Sequence, residues 1–278
     1  MTRRDVSSSP LMSGTVGWPA LMAALAVAAA TLMADASPAS AESPVTGNIY
    51  VKLGPYYPSI DEEFAGEAKP FRESFGTDKR LLGQIAGEYY VFDDYGKLGV
   101  GVMAGYSSFT GKSEVQGGDG GNGGGDGGNG GGDGGNGGDS SDSGVNLTEE
   151  TKFRVFPIAL IASYRWDWLV EKFRIPLAPK VETGFDYYIW RVKDGAGNLS
   201  KTDGTEAAGG VPGFHVAARI EFLLDAIDPE TAAAFDMSWG INNSYLFAEY
   251  NYANINGFGG DHFNLSDSTW KVGLAFEF

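Results

Sequence analysis

From Thr269 to Phe278 the chain alternates strictly between two kinds of side chain. Trp270, Val272, Leu274, Phe276 and Phe278 share one phase; Thr269, Lys271, Gly273, Ala275 and Glu277 share the other. Successive side chains of a strand point to opposite faces, so this segment is a strand with one apolar and one polar or small face. It carries an aromatic residue at its last position. What the apolar face lies against, a second sheet or hydrocarbon, decides the fold.

The opposite end of the sequence bears on that question. Arg3 and Arg4 precede an apolar run over about 16–33, and Ala39-Ser40-Ala41 forms a small-x-small step before Glu42. This is the layout of a secretory signal peptide, predicted over 1–41 with cleavage after Ala41. The competing reading, an anchoring helix, is opposed by Pro19 and by the short length of the run. In the remaining 42–278, expected to be a single domain, no apolar stretch reaches the length of a membrane helix. Only helices and closed barrels satisfy their backbone inside a bilayer, so any span here is built of strands.

Composition narrows the function. The formal charge is -16, with no Cys and two His among 278 residues. A nucleic-acid binder needs basic patches, so that class is excluded. The lack of Cys excludes a thiolate metal site, and with two His neither a histidine-rich metal site nor a cofactor is expected.

Alternation recurs in eight segments, at about 48–54, 81–92, 98–109, 152–166, 177–191, 214–224, 244–254 and the last. In the sixth, Phe214, Val216, Ala218, Ile220 and Phe222 oppose His215, Ala217, Arg219, Glu221 and Leu223. In the third, Gly99, Gly101 and Gly105 share one face, as the crowded inside of a narrow barrel requires. Pro157 lacks an amide donor and is expected at a bulge or strand end. The expected fold is all-β: an antiparallel up-and-down transmembrane barrel of eight strands, with ten as the alternative if the first long loop hides a hairpin. One short helix is expected from Asp228, an N-cap, followed by Pro229 and Ala232-Ala233-Ala234. Girdle positions near strand ends fall to Tyr89, Tyr106, Tyr164, Trp166, Trp168, Tyr252 and Phe278.

The inward faces carry charges of both signs. Glu88, Arg165, Lys180, Glu182, Asp186, His215, Arg219, Glu221, Glu249 and Lys271 are predicted to form a salt-bridged polar plug, because isolated buried charges are costly. Lys52 and Glu277 are inward too, but are expected at strand ends in bulk solvent. The stretch 117–138 is almost wholly Gly, Asp and Asn, with Asp119, Asp126 and Asp133 seven apart. A calcium β-roll repeats every nine residues with an apolar packing position, and both are missing here. A disordered, hydrated loop at about 111–151 is expected, with weak calcium attraction at those three aspartates. No catalytic residue is expected: neither His215 nor His262 shares a motif with a serine, and no Gly-rich stretch is a phosphate loop.

The terminal Phe276-Glu277-Phe278 and the strand Gly184-Phe185-Asp186-Tyr187-Tyr188-Ile189-Trp190 resemble those of small eight-stranded outer-membrane barrels, the broad group that includes OmpA-type transmembrane domains and OmpW-like proteins. Gly54-Pro55-Tyr56-Tyr57-Pro58 and Asp228-Pro229-Glu230-Thr231 resemble a myxobacterial barrel family of unassigned function. The resemblance implies the outer membrane of a Gram-negative bacterium and outer-membrane lipids as neighbours. It also implies recognition of Phe276 and Phe278 by the barrel-assembly machinery. It brings no active-site residues. A structural or surface-interaction role with mobile acidic loops and divalent cations as possible partners leads. A narrow pore for ions or small solutes, a rim-located lipid-modifying enzyme and a soluble β-sandwich follow in that order.

Overall fold

The computed structural model describes residues 45–64, 68–114, 148–194, 197–202, 205–260 and 262–278. The expected signal peptide and the aspartates Asp119, Asp126 and Asp133 lie outside the described residues. Eight antiparallel strands close a barrel: β1 (Gly47–Tyr56), β2 (Arg80–Phe92), β3 (Lys97–Glu114), β4 (Thr148–Arg165), β5 (Leu177–Lys193), β8 (Ala208–Leu223), β9 (Asn243–Asn254) and β10 (Asp267–Glu277). Between β5 and β8, β6 (Lys201–Thr202) and β7 (Thr205–Glu206) form a separate small hairpin. Each barrel strand pairs with the barrel strands next to it in sequence, and β1 closes on β10 in the register Asn48↔Glu277 to Leu53↔Val272.

The period-two pattern sets which side faces out. Leu81, Leu160, Trp270 and Val272 are 62 %, 66 %, 64 % and 58 % exposed, whereas Lys52, Glu221, Glu249 and Glu277 are each 0 % exposed. Apolar side chains cover the outside and charges fill the inside, the reverse of a soluble sandwich. Eight strands leave an interior just wide enough for side chains. Gly101 shows how narrow it is, since a Cβ there would come 2.1 Å from the Gly87 carbonyl oxygen.

The two ends of the barrel differ. At the end holding Gly47 and Glu277, the links are 93–96, 166–176 and 224–242. At the end holding Tyr56, they are 57–79, 115–147, 194–207 and 255–266. Helices α1 (Pro70–Phe75), α2 (Trp168–Phe173) and α3 (Pro229–Trp239) lie in these links. The single expected helix is α3, which runs further than its Ala run suggested. Asp228 accepts from Thr231 N–H at 3.1 Å, and Gly240 ends the helix at φ 66°. The other two helices were not read from the sequence because each is one and a half turns long and held by its surroundings.

Three further expectations need correction. Strands β3, β4 and β8 extend beyond their expected borders, so part of the expected 111–151 loop, and of the stretch between the fifth and sixth expected segments, is paired sheet. The link 57–79 holds α1 and a 3₁₀ turn, so the ten-strand alternative fails; the extra strands are β6 and β7, outside the barrel. Pro157 lies in the interior of β4. It pairs in register with Tyr188 of β5, while towards β3 the pairing passes from Ala104↔Ile158 to Ser107↔Val155. The ladder therefore lapses on one side only, without a register shift, and the strand keeps its phase past the missing amide.

Candidate functional site in the barrel interior

All ten residues expected inward are buried, and they belong to one ionic storey running from the Glu277 end past mid-barrel. Its base is Arg165. Its Nε donates to Asp167 at 2.6 Å, Nη1 to Glu221 at 3.3 Å and Nη2 to Glu277 at 2.5 Å. Lys97, Tyr245 and Asn243 each add a 3.0 Å contact to Glu277. Above it, Glu182 and Glu249 hold Lys52 at 2.9 and 2.8 Å. Arg219 donates to Glu249 at 2.9 Å through Nε and to Glu182 at 3.1 Å through Nη2. Its guanidinium sits 4.3 Å from the Tyr50 ring centre and 4.0 Å from that of Phe247. The Tyr50 hydroxyl donates to Glu182 at 2.5 Å, and Lys180 donates to Glu88. Higher still, His215 Nδ1 lies 2.7 Å from Asp186 and Nε2 lies 3.4 Å from Glu182, while Lys271 donates to Gln84 at 2.6 Å.

The strand order gives these contacts their meaning. Around the ring β1 and β5 are opposite, and so are β4 and β10. Lys52–Glu182 and Arg165–Glu277 therefore join opposite walls directly, at two levels of the barrel. Lys52 and Glu277 were expected in bulk solvent; both are fully buried in this network instead. Distance from the strand ends is a poor guide there, because β1 extends beyond Lys52 to Tyr56 and Glu277 is enclosed by Arg165, Lys97, Asn243 and Tyr245.

A second storey, at the Tyr56 end, is apolar and was not read from the sequence. Tyr56, Leu82, Phe109, Phe153, Val155, Tyr188 and Val211 point inward, joined by Ile60 and Phe71 of the first link and by Ile255 and Leu265 of the last. Phe71 meets Phe109 at 5.2 Å and Phe153 at 5.4 Å, both edge to face. Asp61 fixes α1 over this mouth: its carboxylate accepts from the Phe71 and Arg72 N–H groups at 2.8 and 3.0 Å. Gly111 permits the close approach, since a Cβ there would lie 2.0 Å from the Ser74 carbonyl oxygen. The signal was present: Tyr56 continues the phase of Lys52, Leu82 that of Gln84, and Tyr188 that of Asp186.

The remaining expected positions are dispersed. Phe276 faces outward, and the Phe278 carbonyl accepts from Thr46 and Gly47 N–H at 2.7 and 3.0 Å, helping to close β1 on β10. Aromatic pairs recur on the outside, with Tyr164–Trp166 at 4.8 Å and Tyr250–Trp270 at 5.2 Å. Among the described residues no group of three or more His, Asp or Glu has the arrangement of a metal site.

Neither a protein-family model nor a curated protein matches the chain. Solved structures do. Neisserial surface protein A aligns at 13 % identity over 85 % of this chain and 98 % of its own, with a TM-score of 0.38. The attachment invasion locus protein Ail of Yersinia pestis aligns at 9 % over 84 % and 99 %, with a TM-score of 0.34. The outer membrane protein OprG of Pseudomonas aeruginosa aligns at 9 % over 84 % and 97 %, with a TM-score of 0.41.

Proposed function

We propose that this chain is an outer-membrane barrel with a structural or surface-interaction role, and that its interior is closed. One observation carries the reading: the barrel is inside-out, with large apolar side chains exposed around its circumference and Lys52, Arg165, Lys180 and Arg219 fully buried. Exposed apolar surface on that scale is a liability in water and a requirement in lipid. The long links at the Tyr56 end then face outside and the shorter hairpin at 93–96 faces the periplasm. The segment 1–41 is the export signal, removed after Ala41. Assembly reads Phe276 and Phe278, and Asp119, Asp126 and Asp133 draw divalent cations to the surface. The likeness to the myxobacterial barrel family is part of this proposal.

Ion pairs across the lumen diameter support closure at one level, and the Phe71–Phe109–Phe153 contact supports it at another. The pore alternative requires both to part. An enzymatic role has less support: both ring nitrogens of His215 face carboxylates, not a hydroxyl nucleophile. Outer-membrane fractionation followed by electrophoresis with and without boiling tests the reading. A folded barrel changes mobility on boiling and stays with the membrane. Recovery as a monodisperse particle without detergent overturns it, and steady conductance in planar bilayers overturns closure.

A further inference from the structure

Beside the aromatic storey a cavity of about 710 Å³ opens at the Tyr56 end. That lies within the range of roughly 300–1,000 Å³ that suits small ligands. Trp190, Val211 and Phe263 form its apolar wall, with the Trp190 and Phe263 rings 4.7 Å apart at 59°. Gly209 and Gly210 also line it, and the Trp190 ring packs directly on Gly209.

Among the described side chains its polar groups are two, the Glu63 carboxylate and the His262 imidazole. Glu63 sits on the rim just after the 3₁₀ turn Ile60–Glu62, which its own N–H closes onto Ile60 at 3.3 Å. Partial burial pushes its carboxyl up from the usual range, opposed by a hydrogen bond from the Asn264 backbone. His262 faces it from the last link. Its N–H donates to Gly260 at 2.8 Å, and its ring rests where a Gly257 Cβ would sit, 2.5 Å from Nδ1. Gly257 also has φ 65°, so the turn is shaped to admit the imidazole. Among the described side chains no Lys or Arg lines the cavity. An anion would meet a carboxylate and no countercharge, in a chain of net charge -16. A cation would meet a carboxylate and two aromatic rings.

We propose that this cavity binds a small organic cation, an amine or quaternary ammonium on an apolar body. The positive head sits beside Glu63, and the apolar body lies against the Trp190 and Phe263 rings. The inference uses only the Tyr56 end of the fold and does not depend on which membrane, if any, the barrel occupies.

The test is calorimetric titration of the full chain, folded in a nonionic detergent, with three probes that share one aromatic body. These are benzyltrimethylammonium, neutral benzamide and anionic benzoate. The expected result is binding of the cation at least tenfold tighter than of either other probe. Glu63→Gln lowers cation affinity roughly fivefold and leaves benzamide unchanged, the size of effect of a part-exposed ion pair. Equal binding of all three probes overturns the proposal. So does a cation affinity that Glu63→Gln, shown to be folded by its heat-dependent mobility, leaves intact. Should that variant not fold, the ranking of the three probes on the unaltered chain decides alone.

Discussion

At the level of Glu182 and at the level of Phe109 the same cylinder is filled by opposite means. Around Glu182, charged groups from β1, β5, β8 and β9 meet in short directional contacts. Around Phe109, Tyr56 of β1 and Phe71 of α1 meet its ring edge to face, and Phe153 of β4 lies tilted beside it. An ion pair holds its geometry only if every partner is present, because each remaining buried charge then stands uncompensated. A ring cluster loses contacts in proportion to what is removed. The ionic storey therefore fixes the register of opposite walls, and the aromatic storey seals one mouth while tolerating adjustment.

The largest break follows from that asymmetry. Glu182→Gln leaves Lys52, Arg219 and Tyr50 short of a partner, and should cost about 3–5 kcal/mol in urea unfolding from micelles. Adding Lys52→Met should recover part of the loss, a coupling that the ring cluster should not show. Phe71→Ala, at the edge of the aromatic storey, should cost about 3 kcal/mol and loosen the mouth without altering the ionic storey. Limited proteolysis within 57–79 reads that directly. Asp61→Ala removes the carboxylate that caps α1 and should cost about 1 kcal/mol. Its signature is faster amide exchange at Phe71 and Arg72.

What could be read from the sequence follows from period two. The alternation of Trp270 to Phe278 and of Phe214 to Phe222 places strands, faces and the buried charges, because register leaves a side chain only two directions. It is silent on which charges meet. Lys52 and Glu182 are far apart in sequence, and their contact depends on the closed ring placing β1 opposite β5. The aromatic storey escaped for a different reason. Tyr56, Phe109 and Tyr188 look like ordinary strand-formers until their inward phase is followed past the charged positions to the ends of their strands. Helix α1 is too short to announce itself, and its cap comes from Asp61, outside the helix.

The smallest expected effect lies outside the barrel. The side chain and backbone of Thr231 both donate to Asp228, and hold its carboxyl below the usual carboxylate range. A lowered value in the folded state means that the cap supports α3 above about pH 3.9, the ordinary value. The support then fades as pH falls through the lowered value. Exchange of the Thr231 amide should quicken over that acid range, while the β8–β9 amides stay protected. Uniform loss of protection would join α3 to the barrel as one unit.

The orientation of the strand faces is tested most directly by a spin-label scan along β8. The chain has no cysteine, so single labels can be placed at 214 to 220 in turn. In lipid vesicles, labels at Phe214, Val216, Ala218 and Ile220 should be relaxed by membrane-dissolved oxygen and ignored by a water-soluble nickel chelate. Labels at His215, Ala217 and Arg219 should be shielded from both. Access of the chelate to the first set, or shielding of that set from oxygen, would contradict an apolar face turned to hydrocarbon.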